Sequence, residues 1–166
     1  FFDMGGTNIM RGLCIKDGKL ISGTGDRPWF GITHDGDAVM GTDADYAAYK
    51  DKLTTAVGAS HVILKGGATD NLATSTEFSY TRHPRTAAGV TADGTVVLIV
   101  VDGRQSGYSD GLTLDEYAQL FASLGCTNAY NLDGGQSSMM IFHNNVYNRP
   151  YNGGRSTSDI FFIAER

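Results

Sequence analysis

Apolar residues along this chain come in short runs broken by tight polar turns. A strand-like stretch over residues 9–15 leads into Lys16-Asp17-Gly18-Lys19 and then Leu20-Ile21. Asp-Gly between apolar runs favours a two-residue hairpin, because both turn positions need a positive φ. Further hairpins are expected to pair 29–33 with 38–41 across His34-Asp35-Gly36-Asp37, and 86–91 with 95–102 across Ala92-Asp93-Gly94. A fourth pairs 139–142 with Val146-Tyr147 across His143-Asn144-Asn145. Residues 96–101 are apolar without a break, as in a central strand covered on both faces. Shorter strands are expected at 61–65, 127–132 and 160–164.

Two stretches follow a helical period instead. Over 43–57, Tyr46, Tyr49, Leu53 and Val57 recur on one helical face behind a cap at Asp43 or Asp45, with Gly58 as the stop. Thr113-Leu114-Asp115-Glu116 is a capping box, and the helix it opens places Leu114, Tyr117, Phe121 and Leu124 on one face and ends at Gly125. Residues 66–82 are polar, rich in Ser and Thr and unpatterned, the kind of long loop that often carries function. Strands outnumber helices and tight turns join most of them. The fold class is therefore α+β: a mixed, largely antiparallel β-sheet with two main helices packed on it. No repeat or linker divides the 166 residues, which suffice for a single domain.

Glycine accounts for 22 of the 166 residues with only 3 prolines, against a typical glycine share of about 7%. These glycines serve tight turns and close backbone approaches, not a flexible linker. The net charge is -5, and no basic stripe is present, which argues against nucleic acid as a partner. No apolar stretch is long enough for a membrane span. Cys14 and Cys126 lack metal-ligand spacing and read as buried free thiols or a pair. The four histidines are scattered, and only His83, beside Arg85, is a candidate for a site. Asp35, Asp37, Asp43 and Asp45 fit a turn and a helix cap, not a calcium loop. Neither a metal nor a cofactor is expected. Ser137-Ser138 lacks the Gly-x-Ser-x-Gly setting of a nucleophilic serine.

Polar residues stand beside glycines at strand ends in four places: Phe1-Phe2-Asp3-Met4-Gly5-Gly6, His83-Pro84-Arg85-Thr86-Ala87-Ala88-Gly89, Asp102-Gly103-Arg104, and Asn131-Leu132-Asp133-Gly134-Gly135-Gln136-Ser137-Ser138. Asp102 and Asp133 each lie where an apolar strand runs out. Neighbouring parallel strands would put both carboxylates on one rim of the sheet. In order and spacing these segments resemble the phosphodiester glycosidase family. Phe1-Phe2-Asp3 is similar to the end of that family's Asn-Gly-Gly-Phe-Phe segment, so a stretch before Phe1 is expected. Gln136 stands where the family has a third glycine, and Ala88 where a larger aliphatic is the rule.

The resemblance implies a hydrolase cleaving the glycosidic bond of a sugar-1-phosphodiester such as that of N-acetylglucosamine. Its partner would be a phosphorylated glycan outside the cytoplasm, at the cell surface or secreted. The chemistry agrees: a carboxylate stabilises or attacks an oxocarbenium-like centre, and arginine offers a planar fork to phosphate oxygens. Asp133 is the expected carboxylate at the anomeric carbon, with Asp102 in support or activating water. Arg85 and Arg104 are expected on phosphate. Thr86, Asn131, Ser137 and Asp3 are expected to orient substrate oxygens, and Gly134 and Gly135 to bring backbone N–H groups near the ligand. The alternative is a catalytically idle module of the same fold that binds a glycan within a larger surface or phage tail protein.

Overall fold

The computed structural model describes residues 12–23, 27–58, 60–70, 77–157 and 160–163. The expected single sheet resolves into two of five strands each, and every recorded strand pairing is antiparallel. The first sheet holds β1 (Cys14–Lys16), β2 (Lys19–Ser22), β3 (Trp29–Thr33), β4 (Ala38–Gly41) and β5 (Leu53–Gly58), in the order β2-β1-β5-β3-β4. The second holds β6 (Val62–Lys65), β7 (Ala68–Thr69), β8 (Arg85–Thr91), β9 (Val96–Val101) and β10 (Cys126–Asn131), in the order β7-β6-β10-β8-β9. A separate hairpin joins β11 (Ile141–Phe142) to β12 (Asn145–Val146). The helices are α1 (Asp43–Tyr49), the single turn α2 (Glu77–Tyr80) and α3 (Leu114–Ser123). The α+β class holds, with α1 and α3 as its main helices.

Three apolar clusters define the layers. Leu13, Ile15, Trp29, Leu53 and Ala56 pack with Tyr46 and Tyr49 of α1 on the first sheet. Phe30, Ala88, Val90 and Tyr130 fill the space between the sheets. Ile63, Leu64, Ala87 and Ala129 meet Leu114, Tyr117 and Phe121 of α3 on the far side of the second sheet. The order is thus helix, sheet, sheet, helix. Tyr130 pins the sheets together, its hydroxyl donating to the Pro28 carbonyl at 2.8 Å and accepting from the Ser60 N–H at 2.9 Å. Close approach of helix to sheet and of strand to strand depends on glycine. A Cβ on Gly89 would lie 2.4 Å from the Phe121 ring, and one on Gly41 would lie 2.4 Å from Trp29.

The capping box of α3 forms as expected, with Thr113 Oγ1 accepting from the Glu116 N–H at 3.2 Å and Glu116 Oε2 accepting from the Thr113 N–H at 3.0 Å. Several expectations are corrected. The helix expected over 43–57 stops at Tyr49, and residues 53–58 form β5. Leu53-Thr54-Thr55-Ala56-Val57 carries three β-branched residues and pairs on both edges, with β1 and β3, and this sheet pairing overrides the helical period. The polar stretch 66–82 contains β7 and α2, with residues 71–76 outside the described set. Residues 160–163 form no strand, although Phe161 still packs against the inter-sheet core. β9 lies at an edge of its sheet, not its centre. Its unbroken apolar run is still required, because Val97, Ile99 and Val101 pack on the α3 side while Leu98 faces the other sheet. Cys126 is a buried free thiol, and Cys14 is half-buried.

The antiparallel pairings fix the geometry of one rim. β8 runs between β9 and β10, with Arg85 opposite Val101 and Ala87 opposite Asn131. β9 and β10 therefore point the same way on either side of β8, as parallel strands separated by one neighbour. Both end where β8 begins, so Asp102, Asp133 and Arg85 share this edge. Two strand spacings set β9 and β10 about 10 Å apart.

The tight contact between α3 and the sheet makes Gly89 a sensitive position. Gly89→Ala is expected to cost about 1–3 kcal/mol by overpacking against Phe121. Gly23→Ala, where nothing lies within 4 Å of the added carbon, is expected to stay within about 0.5 kcal/mol. Denaturant midpoints for the two variants check this pair.

Candidate functional site

Three backbone segments close on one another at the rim, and glycines permit it. A Cβ on Gly103 would sit 2.6 Å from the Pro84 nitrogen, and one on Gly134 would sit 2.7 Å from the Pro84 carbonyl oxygen. Gly111, at φ 92°, runs directly against His83. The segments that begin β8, follow β9 and follow β10 are therefore stacked backbone to backbone.

Asp133 stands half-exposed on this stack. Its Oδ2 accepts from Ser137 Oγ at 2.7 Å and from Arg155 Nη2 at 2.5 Å, and its Oδ1 accepts from the Gly134 N–H at 2.9 Å. Arg155 also donates from Nε to Ser137 Oγ at 2.6 Å. Gly154, at φ 82°, carries the chain tightly past Met139 and so delivers Arg155 to the carboxylate. Arg104 lies against Gly135, with Nη1 3.3 Å from where a Cβ would be. Its backbone occupies the left-handed region at φ 57°, a conformation that costs a non-glycine residue about 1 kcal/mol and concentrates at functional positions. Arg104 Nε donates to His83 Nδ1 at 3.1 Å, and its guanidinium lies 5.5 Å from the centre of the Tyr151 ring.

Burial, reinforced by the Arg104 and Arg85 charges, holds His83 below the ordinary imidazole pKa. It is therefore neutral around pH 7. Because Nδ1 accepts from Arg104, the proton is assigned to Nε2, which becomes a donor.

Asp102 is a hub instead of an open carboxylate. Its Oδ1 accepts from Asn148 Nδ2 at 2.8 Å, and its Oδ2 accepts from the Tyr108 hydroxyl at 2.9 Å and the Arg149 N–H at 2.8 Å. Asn148 Nδ2 also donates to the Ser138 carbonyl at 2.9 Å, and Thr86 Oγ1 donates to Ser138 Oγ at 3.1 Å. Through Asn148 and Ser138, Asp102 fixes the helical turn at Gly135–Ser137 that orients Asp133's partners.

Arg85 departs from the sequence expectation. It is 0% exposed, and its guanidinium is not open to a phosphate. Nε donates to the Leu112 carbonyl at 2.9 Å, and Nη2 donates to the carbonyls of Phe78 and Thr81, both at 2.8 Å. The Phe78 ring covers it at 4.3 Å and also stacks on His83. Burial lowers its pKa to about 10, which leaves it charged at neutral pH.

Asn131 is likewise buried and directed inward, with Nδ2 donating to Ser60 Oγ and the Leu132 carbonyl, each at 2.8 Å. The Gly134 and Gly135 N–H groups are engaged by Asp133 Oδ1 and the Pro84 carbonyl. Both N–H groups are thus engaged within the protein, and both glycines lie close against neighbouring residues. Asp3 lies outside the described residues. Sequence reasoning missed Arg155, Asn148, Tyr108 and Tyr151. The run Arg149-Pro150-Tyr151-Asn152-Gly153-Gly154-Arg155 has the same mixture of polar residues and glycines that singled out the other four segments.

Among the described residues, no group of three or more His, Cys, Asp or Glu side chains is placed to hold a metal ion. No helix there is long and apolar enough to cross a membrane.

A model of the phosphodiester glycosidase family matches residues 1–164. Over 72 residues the chain is 46% identical to the SPbeta prophage-derived uncharacterized protein YomE of Bacillus subtilis (strain 168), a match that takes in 43% of this chain and 11% of that protein. Its fold is similar to the zebrafish N-acetylglucosamine-1-phosphodiester alpha-N-acetylglucosaminidase catalytic domain, auto-inhibited by its pro-peptide. There the TM-score is 0.76 at 24% identity over 90% of this chain and 53% of the zebrafish chain. A hypothetical protein from Synechocystis gives a TM-score of 0.56 at 25% identity, over 71% of this chain and 23% of that one. The chain spans only part of each of these longer relatives. With its family's model matched along almost its whole length, this chain belongs to the phosphodiester glycosidase family.

Proposed function

We propose that this domain hydrolyses the bond between a sugar's anomeric carbon and a phosphodiester oxygen. Its substrates would be N-acetylglucosamine-1-phosphodiesters within glycans or polymers outside the cytoplasm. The observation that carries this reading is a half-exposed carboxylate, Asp133, held directly by Arg155 and flanked by Arg104 on Gly135.

The Asp133–Arg155 pair is exposed enough to exchange. Its side chains are 45% and 52% accessible, and pairs of this kind contribute about 0–1 kcal/mol. An arriving phosphodiester competes for the Arg155 fork, and Arg104 supplies a second cation beside it. Asp133 Oδ2 is then released toward the sugar, where it stabilises positive charge at the anomeric carbon or attacks it. Breaking the anomeric C–O bond releases a phosphomonoester as a weakly basic anion whose charge arginine matches, so the reaction makes little demand on a strong general acid. Neutral His83 donates from Nε2 to a substrate oxygen. Asp102 and Arg85 are positioning residues: one fixes the turn beside Asp133, and the other clamps the segments that frame His83. Thr86 acts through Ser138, and Ser137 orients Asp133.

Asp133→Asn is expected to fold normally and to lose at least about a hundredfold in turnover of an N-acetylglucosamine-1-phosphodiester. Unchanged turnover would remove the carboxylate from the mechanism. Binding without turnover in the wild type would favour a glycan-binding module instead. Arg155→Gln and Arg104→Gln are each expected to lower kcat/KM about tenfold or more, the cost of one charge-assisted hydrogen bond.

The lowered pKa of His83 carries a stability consequence. As pH falls below the ordinary histidine value of 6.5, the unfolded chain takes up a proton before folded His83 does. Unfolding free energy therefore declines with acidification between 6.5 and the lower folded pKa, and is level above that window. His61, also lowered by burial, acts in the same sense. Denaturant titrations from neutral to mildly acidic pH should show this slope, shallower in His83→Gln.

A further inference from the structure

The β11–β12 hairpin stands outside both five-stranded sheets and presents its apolar side chains to water. Phe142 is 57% exposed and Tyr147 64% exposed, with their rings meeting edge to face at 5.7 Å. Alternation along the ribbon puts Phe142 and Tyr147 on the same face. An isolated two-stranded ribbon is marginal alone, yet this one is anchored at its base. Asn148 Oδ1 accepts from the Met140 N–H at 2.9 Å, and the same side chain donates to Asp102 and to the Ser138 carbonyl. The hairpin thus springs from the network that positions Asp133.

At its foot Tyr108, 54% exposed, lies under the Arg149 guanidinium at 5.0 Å. Arg149 has no ion-pair partner among the described residues. The distribution of cations points the same way: every basic residue after Lys65 is an arginine, and Arg104, Arg149 and Arg155 surround this rim although the chain is net acidic at -5. A pyranose ring has an apolar C–H face that packs on aromatic rings, and a phosphodiester suits a guanidinium fork. Aromatic surface beside an unpaired arginine is the complement of one sugar plus one phosphate. An apolar protein partner would leave the arginine unanswered.

We propose that the Phe142–Tyr147 face of the hairpin, with the Tyr108–Arg149 pair at its foot, is a second subsite that holds the neighbouring sugar–phosphate unit of a polymeric substrate. The subsite rests on the proposed hydrolysis at Asp133 only for which bond is cut; its binding role stands apart. It makes the substrate a repeating sugar-phosphate chain in place of a single decorated sugar.

Two substrates test this: a polymer of N-acetylglucosamine joined through 1-phosphodiesters, and a small N-acetylglucosamine-1-phosphodiester. The combined variant Phe142→Ala, Tyr147→Ala is expected to raise KM on the polymer about tenfold while leaving kcat/KM on the small substrate within about twofold. Arg149→Gln, whose backbone N–H still reaches Asp102, should act in the same direction, and it keeps the test valid if the double variant loses its hairpin. Calorimetric binding of the polymer to Asp133→Asn, with and without these changes, separates the two readings. Hairpin-dependent binding without wild-type hydrolysis would sink the catalytic reading and keep the subsite. Polymer binding that ignores both hairpin and Arg149 variants would overturn the subsite. So would self-association in sedimentation that the double variant abolishes with polymer binding unchanged, which would make the hairpin a contact between copies of this chain.

Discussion

The Arg85 guanidinium is sealed inside the protein, where Nε and Nη2 find backbone acceptors and Nη1 is left without one. Its N–H groups hold the carbonyls of Phe78 in α2, of Thr81 just after it, and of Leu112 ahead of α3. Removing such a group unmakes three charge-assisted hydrogen bonds and costs several kcal/mol, so the clamp fixes where these segments lie. Phe78, laid over Arg85, carries its ring onto His83, and His83 in turn accepts from Arg104. The position of the exposed cation is therefore set by the buried one. The same rim needs glycine at 103, 111 and 134, where side chains would collide with His83 or Pro84.

Much of the fold was legible because local chemistry and global packing agree. The Asp-Gly turns formed hairpins, and the capping box at Thr113 opened α3. The reading failed where tertiary pairing outweighed a local period. Residues 53–57 carry apolar side chains at helical spacing, yet they lie between β1 and β3 and take their backbone partners there. β9 read as a central strand because its two faces are covered by α3 and the opposite sheet. Periodicity reports the faces of a strand and is silent about its edges.

The site was legible in outline and less so in role. Glycine beside a polar residue at a strand end marked the converging segments, and the antiparallel frame brought Asp102, Asp133 and Arg85 to one edge. Which arginine faces solvent depends on loop packing, and no spacing rule reports that. Arg85 therefore read like Arg104, although one is buried and the other exposed. Arg155 supplies the direct partner of Asp133 from a segment outside the recognised motifs. Asp102 and Asp133, alike as residues before glycine, differ in their neighbours: one accepts from Asn148, Tyr108 and the Arg149 N–H, while the other accepts from Ser137, the Gly134 N–H and the exposed guanidinium of Arg155.

The proposed reaction breaks the bond between the anomeric carbon and the bridging oxygen, and the assignment of Asp133 to the sugar carbon depends on that side being cut. Hydrolysis of an N-acetylglucosamine-1-phosphodiester in heavy-oxygen water, followed by phosphorus NMR of the phosphomonoester, tests this most directly. Attack at the anomeric carbon predicts a phosphate carrying no heavy oxygen. Heavy oxygen in the phosphate would mean that the P–O bond breaks, and would contradict the assignment of Asp133 to the sugar carbon.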